Sequence, residues 1–116
     1  MTTAMLSFQK LDVYRRSVEF LALSTGIARD TPRGHAALLD QLRRAATSIT
    51  LNIAEAAGRT GRADAARTYA IARGSAMECA AVLDALSVLG VLEAAAHENG
   101  DALLERIVAM LTRLCS

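Results

Sequence analysis

The feature that most constrains the fold is a row of small and apolar residues that repeats in steps of three and four. Eight positions follow this alternation over nearly four heptads: Ala65, Thr68, Ala72, Ser75, Cys79, Val82, Leu86 and Leu89. Such spacing places one side of a long helix against a neighbouring helix, as in a bundle. Gly74, within the row's small-residue half, costs a helix about 1 kcal/mol relative to Ala. We therefore expect another helix to cross close to Gly74.

Three other segments show helical periodicity between turn signals. Together with the row above, they predict helices at about 7–28, 32–58, 62–89 and 101–114. Ser7 and Thr31 are the expected N-terminal caps of the first two helices, and Pro32 suits a first helical position because it lacks an N–H. Gly100 is expected to close a short helical turn before the fourth helix.

The predicted fold is all-α, an antiparallel up-down-up-down four-helix bundle that forms one domain over residues 1–116. The length of 116 residues suits one domain, and 53% hydrophobic residues with only 3% aromatic ones predict a core of Ala, Leu, Val and Ile. Helices 1, 3 and 4 each show an apolar face wider than one seam requires. Because a lone bundle would leave part of that surface in water, we expect a homo-oligomer.

A polar row on helix 2 interrupts its apolar pattern. Six residues in steps of three and four share one side of that helix: Gln41, Arg44, Ser48, Asn52, Glu55 and Arg59. One interpretation is a hydrogen-bonded seam that sets helix register, with Asn52 bonding across the bundle and Glu55 paired with an Arg. The seam would comprise Ser48, Asn52, Glu55, Gly74, Ser75 and Glu78, and two neighbouring acids, Glu55 and Glu78, would need Arg partners or a shared proton. Asn52→Leu is then expected to keep the helices but disturb register or assembly.

Charge is unevenly distributed along the chain. Net charge is +1 overall, but residues 29–73 carry +4 and residues 74–116 carry −4. A basic segment of this kind is typical of a polyanion-binding surface, and the candidate nucleic-acid-binding residues are Arg43, Arg44, Arg59, Arg62, Arg67 and Arg73. The alternative is that the arginines reflect composition alone, or that unlike segments meet between subunits.

Enzymatic and metal chemistry find little support in the sequence. The chain has no Glu-x-x-His pair, no Gly-rich phosphate loop and no nucleophile motif, so we expect no enzyme, no cofactor and no native metal site. Cys79 and Cys115 have no metal-ligand spacing and are expected to pack as small apolar residues. No secretory signal and no apolar run near 18 residues are visible, which favours a cytoplasmic protein.

Three stretches carry a family resemblance: FQKLDVYRRSVEF (8–20), QLRRAATSITLNIAEAAGR (41–59) and YAIARGSAMEC (69–79). They resemble the four-helix bundle proteins encoded within intervening sequences of bacterial 23S ribosomal RNA genes. The positions matching the family pattern are Phe8, Leu11, Gln41, Leu42, Arg44, Ala45, Ser48, Ile49, Asn52, Ile53, Ala54, Glu55, Ala72, Gly74, Ser75 and Glu78. Ala56 departs from it, since a Gly usually follows the Glu, and helix 2 is therefore expected to continue to Gly58.

The resemblance implies a bundle that assembles as a ring-like homopentamer. Related proteins include accessory proteins of diversity-generating retroelements, which work with a reverse transcriptase and carry a basic surface for nucleic acid. The resemblance thus favours an oligomer that binds RNA or DNA. The alternative is an oligomeric protein–protein scaffold or accessory subunit, for example of a reverse transcriptase, with no direct nucleic-acid binding.

Overall fold

The computed structural model describes residues 5–116 and consists of four long helices. After a single 3₁₀ turn, Ser7–Lys10, the helices are α1 (Asp12–Asp30), α2 (Ala36–Ala57), α3 (Arg62–Val88) and α4 (Ala94–Leu114). The described part of the chain contains no strand, which confirms the all-α prediction. Residues 1–4 lie outside the described residues. The predictions of a single domain over 1–116 and of no secretory signal both include them. Among residues 5–116, no helix combines the length and apolar content needed to cross a membrane.

Neighbouring helices run in opposite directions. Each helix packs against the next one along the chain, and α4 returns to pack against α1. On α2 and α3, Gln41 contacts Glu78 while the later Ser48 contacts the earlier Ser75, as antiparallel helices require. This up-down-up-down order places the α2–α3 turn, the start of α1 and the end of α4 at one end of the bundle. The α1–α2 and α3–α4 connections lie at the other end.

The row of residues that predicted a helical seam on α3 does face the core. Thr68, Ala72, Cys79, Val82 and Leu86 are buried, and the seam ends there because Leu89 lies past the helix and is exposed. The rest of the core is built from the apolar sides of the other helices. Its largest fully buried side chains include Phe20, Leu42, Ile49, Ile53, Leu83, Ile107 and Leu111.

The predicted starts of the first two helices were wrong. The Gln9 side chain, and not Ser7, caps the 3₁₀ turn by accepting a hydrogen bond from the Leu6 N–H at 2.7 Å. Thr31 lies just past the end of α1 in an extended conformation, as expected for the residue before a proline, and its hydroxyl donates to the Ile27 carbonyl at 2.6 Å. Pro32 consequently lies in the loop, and α2 begins only at Ala36.

Three helix ends follow the glycine signals. α2 continues through Ala56 to Ala57, with Gly58 as its C-terminal cap, and α3 begins directly after Gly61. At the end of α3, Gly90 has a φ of +76°, and the N–H of Val91 donates to the Leu86 carbonyl at 3.1 Å. This arrangement is a Schellman motif, in which glycine adopts the left-handed conformation at little steric cost.

Gly100 does not precede the last helix but lies inside it. The turn predicted over 93–100 is continuous with α4, which begins at Ala94. Gly100 is buried, and a Cβ built on it would lie 2.6 Å from Leu83 Cδ1 and 3.7 Å from Phe20 Cε1. The close helix crossing that requires a glycine is therefore here.

Gly74 was predicted to mark a close crossing, and that prediction was wrong for the chain by itself. Gly74 is exposed, and a Cβ built on it would meet nothing within 4 Å. The neighbouring seam residue Ser75 points to α2, so Gly74 falls on the outer side of α3.

Candidate nucleic-acid interface

The first three residues of the polar row, Gln41, Arg44 and Ser48, line a surface cleft between α2 and α3. Ser48 and Ser75 hydroxyls lie 2.8 Å apart, and the Gln41 amide donates to the Glu78 carboxylate at 2.8 Å. The cleft has a volume of about 320 Å³ and is lined by Gln41, Arg44, Ala45, Ser48, Ser75 and Glu78, six positions that match the pattern of the family that the sequence resembles. Since Gln41, Arg44 and Glu78 are exposed, core packing alone does not explain these residue types.

Asn52 does not bond across the bundle as expected. Its amide donates to the carbonyl and the hydroxyl of Ser48, one turn earlier on the same helix, at 2.9 and 3.1 Å. Ser48 therefore makes a hydrogen bond to α3, and Asn52 contacts Ser48 on its own helix.

The two acids of the predicted seam are far apart. Glu55, in the last turn of α2, pairs with Arg59, which lies two residues past the end of that helix. Glu78 bonds Gln41, which precedes Glu55 by 14 residues and thus by about 21 Å of helix. The two carboxyl groups therefore cannot share a proton, and each belongs to a separate polar contact.

Arg43 and Arg44 lie in the first half of α2 around one carboxylate. Arg43 donates to Asp40 at 2.6 Å, and Arg44 lies 3.8 Å from the same side chain. The hydrogen bond from Arg43 holds the pKa of the Asp40 carboxyl below its usual value. Part of the positive charge of this pair is therefore already balanced.

Arg59, Arg62 and Arg67 surround the α2–α3 turn. Asp64 lies between two of them, 3.5 Å from Arg59 Nε and 2.8 Å from Arg67 Nη2. Arg62 is exposed and has no ion pair within residues 5–116. Three arginines and two acids, Asp64 and Glu55, leave this turn with a net positive charge.

Arg73 belongs to neither group. Its Nε donates to the Thr112 hydroxyl at 2.8 Å, so the side chain lies over the contact between α3 and α4. Arg44 lies 13 residues, or about 20 Å of helix, before the end of α2 at Ala57, and Arg59 lies beyond that end. The six candidate arginines thus form three separate groups.

The charges are sorted along the bundle axis. When each helix is divided at its middle, the half containing the α2–α3 turn has nine basic and five acidic residues, and the other half has four basic and seven acidic ones. We call these the basic end (+4) and the acidic end (−3). The basic end also contains five basic residues that lie outside the basic segment 29–73: Lys10, Arg15, Arg16, Arg106 and Arg113. Antiparallel folding brings them to the same end from both termini of the described chain.

Aromatic rings are not free to stack on bases at either end. Phe20 and Tyr69 are buried, and burial raises the pKa of the Tyr69 hydroxyl. Phe8 and Tyr14 are half-buried and pack edge-to-face, with ring centroids 5.0 Å apart. Any nucleic-acid contact at this surface would therefore rest on charge.

Neither thiol has the surroundings of a nucleophile. Cys79 is fully buried, and burial, with a smaller effect of the Glu78 charge, raises the pKa of its thiol to about 12. Cys115 is half-buried and packs against the core.

The acidic end holds a cluster that the sequence reading missed. His97 Nε2 lies 2.9 Å from Asp84 Oδ1 and 3.4 Å from Asp101 Oδ2. His97 lies in the stretch predicted as a short turn before the fourth helix, but α4 begins three residues before it. With His97 in a helix, its i, i+4 spacing predicts a contact with Asp101. The contact with Asp84 depends on how α3 packs on α4, which the spacing does not give.

Comparison with known proteins places the chain among relatives whose function is not described. The family model for the 23S rRNA-intervening sequence protein matches residues 9–113. A crystal structure of a protein with unknown function from the S23 ribosomal protein family of Bacteroides thetaiotaomicron is similar, with a TM-score of 0.82 at 24% identity. The similarity covers 90% of this chain and 98% of that chain, and at this identity it shows the fold alone. No curated protein matches. Neither description names an enzymatic activity.

Proposed function

Because this chain belongs to the 23S rRNA-intervening sequence protein family, we propose that it is a non-enzymatic oligomer that binds the phosphate backbone of RNA or DNA through its basic end. The observation that carries the proposal is the sorting of charge into a +4 end and a −3 end. The basic end attracts a polyanion and the acidic end repels it, so the two molecules meet in one preferred orientation.

The arginines at the α2–α3 turn are the proposed centre of the contact. Arg62 has no ion pair among the described residues. Arg59 and Arg67 share Asp64, and a phosphate can compete with that carboxylate for both. Arg73 and the basic residues from the two chain termini extend this surface. Arg43 and Arg44 lie in the acidic half of the bundle, so the proposed surface does not include them.

Assembly multiplies this charge. The family resemblance implies a ring-like homopentamer, and five basic ends on one side of a ring would together carry about five times +4. Exposed apolar side chains, among them Leu51, Ile71 and Val88, are consistent with surface covered in an oligomer. Native mass spectrometry of the tag-free protein tests this part, and a monomer at micromolar concentration would contradict it.

A salt series with two matched variants tests the nucleic-acid proposal. Structured RNA and DNA of equal length are titrated with wild type, with Arg59→Ala/Arg62→Ala/Arg67→Ala and with a control triple variant. The control, Arg29→Ala/Arg33→Ala/Arg43→Ala, removes the same charge from the acidic end. Each lost phosphate contact is expected to flatten the slope of log K against log salt by about 0.9 for duplex DNA.

The expected result is a slope reduced by up to about 3 per bound chain in the first variant and little changed in the control. Equal losses in both variants would mean that only net charge matters, and no binding at low salt would remove the proposal altogether.

The second candidate function is a protein scaffold or accessory subunit that does not touch nucleic acid. It is favoured by the cleft between α2 and α3, whose lining residues belong to the family motifs although several are exposed. Leu51 and Ile71 lie one turn from Ser48 and Ser75 and are also exposed, which is typical of a protein-contacting surface. Failure of the salt series, together with loss of assembly in Gln41→Ala or Glu78→Ala, would select this candidate.

A further inference from the structure

We propose that Asp84, His97 and Asp101, at the acidic end of the bundle, form a binding site for a divalent transition-metal ion of the zinc type. The three residues come from two helices: Asp84 from α3, and His97 with Asp101 from successive turns of α4. Each offers one ligand atom, and all three atoms lie within 4.8 Å of one another. This site is separate from the proposed nucleic-acid surface, which lies at the other end.

The spacing of the ligand atoms fits one ion. Zinc binds imidazole nitrogen and carboxylate oxygen at about 2.0–2.2 Å, so neighbouring ligand atoms in a tetrahedral site lie about 3.3–3.6 Å apart. His97 Nε2 is 2.9 Å from Asp84 Oδ1 and 3.4 Å from Asp101 Oδ2. Small side-chain rotations therefore suffice to place the three atoms around a metal, whose remaining position water would fill.

The surroundings favour a cation. No Lys or Arg within residues 5–116 lies at ion-pair distance from Asp84 or Asp101, so His97 is the one basic group facing both carboxylates. The acidic end carries a net charge of −3, which raises the local concentration of cations. One imidazole with two carboxylates suits zinc or a similar transition metal better than magnesium or calcium, which take oxygen ligands only.

The site is positioned before any ion arrives. Residues 89–93 join α3 to α4, and the Schellman motif at Gly90 sets the direction of that turn. The His97 side chain is only 24% exposed, which limits its rotation, and its ring nitrogen already faces Asp84. In the metal-free state this contact is a hydrogen bond, and metal binding at Nε2 replaces its proton.

Zinc titration of the tag-free protein tests the proposal directly. Calorimetry after chelator treatment is expected to give one zinc ion per chain. His97→Gln keeps a hydrogen-bonding side chain but removes the imidazole, and it should weaken binding more than about tenfold, since loss of an outer-shell partner alone costs that much. His35→Gln and Cys115→Ser remove the other histidine and the more accessible thiol, and both should leave the affinity unchanged.

A second variant and a second readout keep the test independent of folding. Asp84→Asn alters a side chain that is 68% exposed, so its fold should be retained while its zinc affinity falls. Zinc at about one hundred times its Kd should raise the melting temperature of wild type by roughly 10 °C and leave His97→Gln unmoved. No zinc uptake, binding that survives both cluster variants, or binding lost in His35→Gln or Cys115→Ser would overturn the proposal.

Discussion

Replacing Gly74 and Gly100 by alanine, one at a time, is expected to change the stability of the bundle in opposite directions. Both glycines lie inside helices, and alanine there gains about 1 kcal/mol of helix propensity over glycine. At Gly74 the new methyl meets nothing within 4 Å, so the whole gain should appear. At Gly100 it would lie 2.6 Å from Leu83 Cδ1, well inside the carbon–carbon optimum of about 3.5–4.0 Å.

The clash at Gly100 outweighs the propensity gain. Leu83 is fully buried, and overpacking of this kind costs about 1–3 kcal/mol. Gly100→Ala should therefore lose about 1 kcal/mol net, which leaves the two variants about 2 kcal/mol apart. For 116 residues, 1 kcal/mol shifts the melting temperature by about 4 °C, so the expected separation is about 8 °C.

Thermal unfolding followed by circular dichroism measures this difference, with light scattering to verify that both variants keep the wild-type oligomeric state. A Gly100→Ala protein as stable as wild type would show that the α1–α3–α4 crossing is looser than the structure indicates. A destabilised Gly74→Ala protein would contradict the open space at that position and indicate that another copy covers the outer side of α3.

Two further predictions concern the Ser48–Ser75 hydrogen bond and the Cys79 thiol. A double-mutant cycle with Ser48→Ala and Ser75→Ala should give a coupling of about 1 kcal/mol, because their hydroxyls bond each other at 2.8 Å between α2 and α3; additive effects would show that this bond contributes nothing. Cys79 should resist thiol reagents in the native state, with Cys115→Ser used to isolate it. The folded pKa of Cys79 is about 12, above the unfolded value of about 8.5, so its contribution to stability should be lost as pH rises from about 9 to 12. Cys79→Ala should weaken that alkaline loss of stability. Rapid labelling at pH 8, or an unchanged alkaline profile in the variant, would contradict the burial argument.

The polar row of α2 shows how far sequence reasoning reaches. Its spacing predicted correctly that Gln41, Ser48 and Asn52 share a side of the helix, and they do face α3 or support the residue that does. The spacing could not tell which partner each one would take. The Asn52 amide donates its hydrogen bonds within its own helix, and Glu78 pairs with Gln41. Each partner depends on how far α3 is shifted along α2.

The sequence by itself determined the number of helices and that each has an apolar side, since hydrogen bonding in a helix is local and an apolar repeat near 3.6 residues is visible in the chain. The tertiary structure decided which of two interior glycines is needed, that basic residues from both chain termini gather at one end, and that His97 meets Asp84. All three depend on the rotation and relative shift of antiparallel helices. Periodicity leaves these quantities open, because a helix can present the same apolar side at many positions along its neighbour.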